Sequence, residues 1–509
     1  MPVSPRRTHR FPRPAIYAVL TAVAGLAALG LLLACGTAGG PDSSTAPAAE
    51  TAVAMDEPMA ADETAFQPGS DADVCAPGTL CLKVDSDGSR NPEGTSVAQC
   101  SGTFPDYVVE ADLFPADYAG PWFFAASDFP DSPDYGGPYP WEEIDYEDGQ
   151  EGADAYAYAL RDYAFEGNIE VDFRVQENEV RTWVTVPYMN YGGGRRELVH
   201  GLTRERTLNA PELGIKPGVS VRNYAIGFYN GPGGYTIGQV WADPWVPDVA
   251  AAAAFPDGAM VFKILFSDAV PEDFVDPDDY PLTGAPAWQI ATGDGELTTV
   301  RLMQMDVAAR DPRSEPTGWV YGTFAFDPDA DDPVSWNRLR PVGIQWGNAP
   351  GYTPEDQANG VPLPENTISD MSPDYALGHL GWAGRLNGPV DNPASACMSC
   401  HGTAQYPVVA AMLPPSGCDD EQRLHWFRNL PAGEAFGGTD GCEPEDVPGL
   451  QALDTSLQLK VSLQSILQYN DVNPCLDPAD APMRPATASA GPGSDAPRVS
   501  RDGVGGETK

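Results

Sequence analysis

The sequence predicts an α+β protein in which a mostly antiparallel β-domain is followed by a small α-helical region. Pro and Gly are abundant, at 52 and 53 of 509 residues, which favours short strands and turns over long helices. Apolar and polar residues alternate over much of 166–347, with the period of half-buried strands. The chain after residue 405 instead spaces its apolar residues as helices do.

Strands are predicted through the middle of the chain. Residues 169–175 alternate strictly, and residues 181–186 do so in large part. Residues 230–234 read Asn-Gly-Pro-Gly-Gly between two aromatic-rich runs, which predicts a hairpin. Residues 197–209 are predicted to form a helix between strands. The predicted strands are 169–175, 181–186, 224–229, 235–241, 260–266, 298–307, 319–326 and 341–346.

Three helices are predicted towards the C-terminus, at 405–413, 419–430 and 450–469. The last has enough apolar residues for one buried stripe. Those residues are Leu453, Leu457, Leu459, Val461, Leu463, Ile466 and Leu467.

The N-terminus has the pattern of an export signal. A basic segment is followed by an apolar run from residue 15 to 34. A run of about 20 residues is also long enough to span a bilayer as an anchor helix. Leu32-Leu33-Ala34-Cys35-Gly36 ends this run and resembles the lipobox of bacterial lipoproteins. The resemblance implies that Cys35 carries the lipid and that residues 1–34 are removed.

One short motif carries the chemistry of the chain, Cys397-Met398-Ser399-Cys400-His401. A CxxCH motif places two thiols one helical turn apart, where they can bond to the two vinyl groups of a haem. His401 then lies beneath the iron as its proximal ligand. A zinc site needs more ligands than this motif supplies, and the usual context of a redox dithiol is missing. The motif therefore predicts one covalent c-type haem.

The sixth position of the iron is left open by the sequence. Met412 lies eleven residues after His401, and a thioether ligand suits electron transfer. Met412 packing against the haem or the core is the plainer interpretation. His379 and His425 are further candidate ligands, and an open position is the remaining alternative.

The cysteine content fits an oxidising compartment. Of nine cysteines, one is assigned to lipid and two to haem, which leaves six for up to three disulfides. Cys418 with Cys442 is the natural local pair. The connectivity of the whole set is open: Cys75, Cys81, Cys100, Cys418, Cys442 and Cys475.

The expected organisation follows from composition. Small and acidic residues dominate both ends of the mature chain, as in flexible tethers and tails. The predicted parts are a signal peptide (1–34), a tether (35–74), a β-rich domain with an irregular acidic and aromatic N-terminal segment (75–385), a helical haem-binding region (386–480) and a disordered tail (481–509).

The formal net charge is −44, with an isoelectric point near 4.1. Such a charge excludes nucleic acid as a partner, because like charges repel. The plainer interpretation of this charge is that it keeps the protein soluble, and the second is that it favours docking with a basic protein.

Several segments resemble a family of large bacterial monohaem c-type cytochromes. They are His200-Gly201-Leu202-Thr203-Arg204-Glu205-Arg206 and the runs at 233–241, 317–322, 342–348 and 381–389, which lead to the haem motif. The resemblance covers about 280 residues and implies little about function beyond haem binding.

A more distant likeness is to small β-fold cytochromes whose haem is cross-linked to a lysine. They also place segments like Phe255-Pro256-Asp257-Gly258 ahead of a C-terminal CxxCH. That likeness implies a five-coordinate haem that handles hydroxylamine or nitric oxide, with Lys263 as a cross-link candidate. The plainer interpretation is that Lys263 extends from a sheet edge. The chain departs from this pattern because it continues from residue 402 to 509 after the motif.

The expected function is electron transfer in the cell envelope with a periplasmic partner protein, without catalytic side chains. The alternative is a haem enzyme or gas-binding protein with an open iron position. A third hypothesis is an aromatic-rich binding module in which the haem is ancillary.

Overall fold

The computed structural model describes residues 137–189, 199–242, 247–291 and 297–472, with the short pieces 81–83, 108–110, 123, 129–133 and 196–197. The predicted signal peptide, lipidation site, tether and tail lie outside these residues. Of residues 466–472 only the backbone is described.

The strands are β1 (Cys81–Lys83), β2 (Val108–Glu110), β3 (Trp183–Val184), β4 (Thr203–Arg204), β5 (Leu208–Asn209), β6 (Ser220–Val221), β7 (Asn223–Asn230), β8 (Met260–Ser267), β9 (Ala287–Ala291), β10 (Leu297–Arg310), β11 (Trp319–Phe326), β12 (Leu339–Gln345), β13 (Asn366–Ile368), β14 (Gln405–Tyr406), β15 (Gly438–Asp440), β16 (Glu443–Glu445) and β17 (Gln451–Ala452). The α-helices are α1 (Gly149–Phe165), α2 (Gly231–Val240), α3 (Pro354–Ala358), α4 (Asp374–Leu377), α5 (Cys397–His401), α6 (Asp420–Arg423) and α7 (Leu457–Val472).

A nine-stranded antiparallel sheet forms the centre of the fold, which confirms the α+β class with a mostly antiparallel β-domain. Its strands follow the order β13-β12-β11-β10-β8-β7-β3, while β4 also pairs with β7 and β9 with β10. Strands β8 and β10 are interior, so both of their edges are hydrogen-bonded. This sheet supplies the rigid surface on which the site is built.

The two faces of the sheet bury different layers. Phe262 and Ile264 of β8 face a core shared with α1, which packs against β12, β13 and β10. Residues of opposite parity, such as Tyr229 and Tyr321, face the segment that contains α5 and α7. Because successive side chains of a strand point to opposite faces, one set of strands serves both layers.

Five of the predicted strands are confirmed in place. Strand β11 matches 319–326, and β7, β8 and β10 extend the predicted 224–229, 260–266 and 298–307 by a few residues. Strand β12 begins two residues before the predicted 341–346 and ends one residue before its end. These runs are long and strongly apolar, and each lies between two neighbours or packs on both faces. In such strands the local pattern and the tertiary environment favour the same conformation.

The predicted hairpin at 230–234 is wrong, because Gly231 begins helix α2. The Asn230 side chain caps this helix by accepting a hydrogen bond from the backbone N–H of Gly233 at 3.2 Å. Pro232 occupies the first turn, where its missing N–H costs nothing. Residues 235–241 therefore continue as a helix rather than a returning strand.

The predictions for 169–175 and 197–209 are also wrong. Residues 169–173 form turns in which Asp172 and Phe173 have positive φ values of 50° and 56°. No helix forms at 197 or over 199–209, the described part of the second segment, because the buried Glu197 carboxylate accepts backbone N–H groups of its own loop, including those of Val199 and His200. The strand predicted at 181–186 is reduced to β3.

The C-terminal region is less helical than predicted. Residues 405–413 start with β14, which pairs with β17, instead of a helix. Only α6 and a following 3₁₀ turn (Leu424–Trp426) form within 419–430. Helix α7 confirms the third prediction but begins at Leu457 rather than at residue 450. Helix α1, in contrast, was not predicted, although Ala153, Tyr156 and Ala157 repeat at helical spacing.

The disulfide between Cys418 and Cys442 is confirmed, with sulfurs 2.09 Å apart. The side chains of Cys75, Cys81, Cys100 and Cys475 lie outside the described residues, so their pairing stays a prediction. Among the helices that are described, none is long and apolar enough to cross a membrane.

Candidate functional site

Helix α5 presents the three residues of the CxxCH motif on one face. Cys397, Cys400 and His401 stand at positions i, i+3 and i+4, while Met398 and Ser399 are buried on the opposite side. The backbone N–H of Met398 donates to the Gln345 side chain of β12 at 3.1 Å. The helix is therefore held against the sheet, and its motif faces a cavity beside that sheet.

The motif lines a cavity of about 190 Å³ between the sheet and α7. Much of the wall is aromatic or aliphatic, and Met412, Leu413 and Val461 line it as well. The sheet contributes Tyr229, Val261, Ala308, Trp319 and Tyr321 to this wall.

Both thiols of the motif are free, although the same chain forms a disulfide between Cys418 and Cys442. The Cys397 sulfur lies 3.3 Å from the Thr323 hydroxyl. Burial raises the pKa of Cys397 well above its ordinary value and that of Cys400 to about 11. Both are therefore neutral thiols at neutral pH, whereas a dithiol redox centre has one cysteine with a lowered pKa.

His401 is held by a hydrogen bond that fixes its tautomer. Its Nδ1 lies 2.9 Å from the backbone carbonyl oxygen of Thr455. Because a carbonyl oxygen only accepts, Nδ1 carries the proton and Nε2 keeps its lone pair. Burial lowers the pKa of His401 to about 4, so the ring is neutral near pH 7. A neutral imidazole oriented by a carbonyl is the usual form of a histidine metal ligand.

The carbonyl that orients His401 belongs to a strained turn. Asp454 and Thr455 have φ values of 40° and 69°, a region that costs a residue other than glycine about 1–3 kcal/mol. The buried Asp454 carboxylate holds this turn by accepting from the Phe255 backbone N–H at 2.7 Å and the Trp319 indole at 3.1 Å.

A polar row crosses the same face of the sheet. Lys263 of β8 stands opposite Asp306 of β10, which stands opposite Thr323 of β11. The prediction that Lys263 extends from a sheet edge is wrong, because β8 is an interior strand and Lys263 lines the cavity. Its ammonium lies 3.8 Å from the Asp306 carboxylate and 3.9 Å from that of Glu205.

The candidate sixth ligands fall in different places. Met412 lines the cavity with His401. His379 lies elsewhere, with Nε2 3.0 Å from the Asp391 carbonyl oxygen, and His425 packs edge-on against Trp426 and Phe436. Neither of these histidines is among the described residues that line the cavity.

Sequence reasoning missed several residues of this site, among them Glu205, Asp306, Tyr321 and Thr455. A signal was present for some of them, because Asp306 and Lys263 are charged positions within largely apolar runs, 302–309 and 260–266. Thr455 offers no such signal, since its backbone rather than its side chain contacts His401.

Comparison with family models, with curated proteins and with solved structures gave no match to this chain. In the described part of the chain, no three His, Cys, Asp or Glu side chains converge as they would around a bare metal ion.

Proposed function

We propose that this protein is a monohaem c-type cytochrome that transfers electrons in the cell envelope. The observation that carries the proposal is that Cys397, Cys400 and His401 line one cavity with free thiols and an oriented neutral imidazole. These are the groups that attach and ligate a c-type haem.

The residues of the cavity fit such a group. Cys397 and Cys400 would form the two thioether bonds, and the His401 Nε2 would ligate the iron. The apolar wall of Tyr229, Trp319 and other residues suits a porphyrin face, since it excludes water. When bound, a c-type haem supplies a one-electron ferric/ferrous couple.

Electron transfer needs a docking partner rather than catalytic side chains. The net charge of −44 favours a basic periplasmic protein, because complementary charge steers the encounter of two proteins. The predicted lipid on Cys35 would hold the protein at a membrane surface of the envelope.

A pyridine haemochrome assay on the purified mature protein tests this proposal. We expect one haem per chain that stays with the polypeptide after denaturation, and none in a Cys397→Ala, Cys400→Ala variant. As a matched control, Cys418→Ala with Cys442→Ala removes two cysteines and should keep the haem. A wild-type protein without covalent haem would overturn the proposal.

A second candidate function is a haem enzyme or gas-binding protein with an open iron position. It is favoured by the polar groups Lys263, Glu205 and Asp306, because a cavity that only holds a haem for electron transfer does not need them. Carbon monoxide distinguishes the two. If Met412 closes the iron, the reduced wild type should not bind the gas and Met412→Ala should bind it, whereas rapid binding by the wild type supports the second candidate.

A further inference from the structure

Two carboxylates beside the cavity share one amide group. The Gln304 Nε2 donates to both Asp306 oxygens at 2.8 and 3.0 Å and to an Asp391 oxygen at 2.8 Å. The orientation of this amide is fixed, because Gln304 Oε1 accepts the backbone N–H of Val390 at 2.9 Å. The two carboxyl groups are thus held close together by a neutral donor.

The groups around Asp306 do not balance its charge. Lys263 faces it from β8 and is shared with Glu205, which follows β4. Asp391 faces it from the segment before α5, and the Thr323 hydroxyl of β11 donates to it at 3.0 Å. Three carboxylates therefore surround one ammonium group. Crowded like charges favour the retention of a proton on one of the carboxyl groups.

Asp306 is also close to the haem-attachment site. The Thr323 hydroxyl that donates to Asp306 lies 3.3 Å from the Cys397 sulfur. Asp306 and Lys263 line the cavity, and their side chains retain 19% and 27% exposure. A charge on Asp306 would therefore act on a metal held at His401 through a medium with little water, where charges interact strongly.

We propose that Asp306 is a proton-binding site coupled to the oxidation state of the iron. This inference rests on the proposed function. With a haem bound, one electron from a donor protein would reduce the iron and one proton from solvent would bind the Asp306 carboxylate, so the total charge of the cavity would be unchanged. On re-oxidation the electron would pass to an acceptor protein and the proton would return to solvent. The protein would then take up and release protons as well as electrons.

The electrostatics of the site agree with this geometry. Burial first, and then the Asp391 carboxylate, raise the pKa of Asp306 to about 7, against the lowering effect of Lys263. Burial lowers the pKa of Lys263, but the Glu205, Asp306 and Asp391 carboxylates together raise it above its ordinary value, so the lysine stays charged. Asp306 is thus expected to change its protonation near neutral pH.

The test is a spectroelectrochemical titration of the full-length haem-loaded protein between pH 5 and 9. Ferric iron has one more positive charge than ferrous iron, so ionised Asp306 favours the ferric state. The midpoint potential of the wild type should therefore fall as pH rises through neutrality. Full coupling changes the ferric/ferrous equilibrium tenfold per pH unit, or 59 mV for one electron. Asp306→Asn should remove this slope.

Asp268→Asn is the matched control. Asp268 is a carboxylate of similar exposure, 20%, beside Arg222 and is not among the residues that line the cavity. This variant should keep the wild-type slope. Asp391→Asn serves as a second variant. The pH range over which the midpoint potential falls should move to lower pH in this variant, because loss of the neighbouring charge lowers the pKa of Asp306.

The outcomes separate the two proposals. Absence of covalent haem would overturn the proposed function itself. Haem-loaded wild type with a pH-independent potential would overturn the proton site, even if the Asp306 variant failed to fold. A slope that persists in Asp306→Asn would also overturn it.

Discussion

At the scale of single residues, the site depends on groups that the CxxCH motif does not contain. The motif identifies which sulfurs and which imidazole would bind the haem, because their spacing is a property of the chain alone. The tautomer of His401 depends on the carbonyl of Thr455, which is 54 positions away in sequence. That carbonyl is placed in turn by the buried Asp454 carboxylate.

We predict that Asp454→Ala destabilises the protein, because it leaves the Phe255 N–H and the Trp319 indole without an acceptor. Each buried donor left unpaired costs about 1–3 kcal/mol. Urea unfolding followed by tryptophan fluorescence measures the loss. Asp257→Ala is the control: Asp454 and Asp257 both lie near the Arg310 guanidinium, at 4.0 and 3.8 Å, but the Asp257 side chain is 63% exposed. An equal loss in both variants would contradict the assigned role of Asp454.

At the scale of elements, helix capping and burial decided which segments form strands and which form helices, where the alternation of apolar and polar residues did not. Strand β11 was predicted to the residue because its sequence is largely apolar, which matches a strand that is buried on both faces and lies inside the sheet. Residues 235–241 have the composition of a strand, yet Asn230 caps them into helix α2. The same Asn230 side chain accepts the Met260 N–H at 2.9 Å and donates to the Gly258 carbonyl at 2.9 Å. Gly258 and Met260 lie 28 and 30 residues after Asn230 in the sequence.

Asn230→Ala should therefore cost more than the loss of an ordinary cap. We expect a decrease of roughly 2–4 kcal/mol in the free energy of unfolding, from the cap and a second orphaned donor. Thr353→Ala removes the cap of the short helix α3 and should cost about 0.5–2 kcal/mol. Denaturant unfolding of both variants makes the comparison, and a smaller effect at Asn230 would contradict this assignment.

At the scale of the whole molecule, the two faces of the central sheet pack against different parts of the chain. One face builds a conventional core with α1, and the other face carries the cavity and its polar row. The sheet supplies one wall of the cavity, and the segment from α5 to α7 contributes to the opposite wall.

We predict that the mature protein begins at Cys35 and carries lipid there. Metabolic labelling with a fatty acid should mark the wild type but not Cys35→Ser, and mass spectrometry of the wild type should find no peptide from residues 1–34. Cys400→Ser should still be labelled, because its cysteine is assigned to haem. An intact N-terminus with an unmodified Cys35 would instead indicate that the apolar run remains as an anchor helix.

The sequence by itself determined the fold class, the interior strands, the Cys418–Cys442 pair and the residues of the CxxCH motif. Each of these is encoded by neighbouring residues, through period, spacing or composition. The tertiary structure decided the helix at α2, the loop around Glu197 and the position of Lys263 within the cavity. It also brought Asp306, Asp391 and Thr455 to the motif. These contacts join distant parts of the chain, so no local pattern contains them.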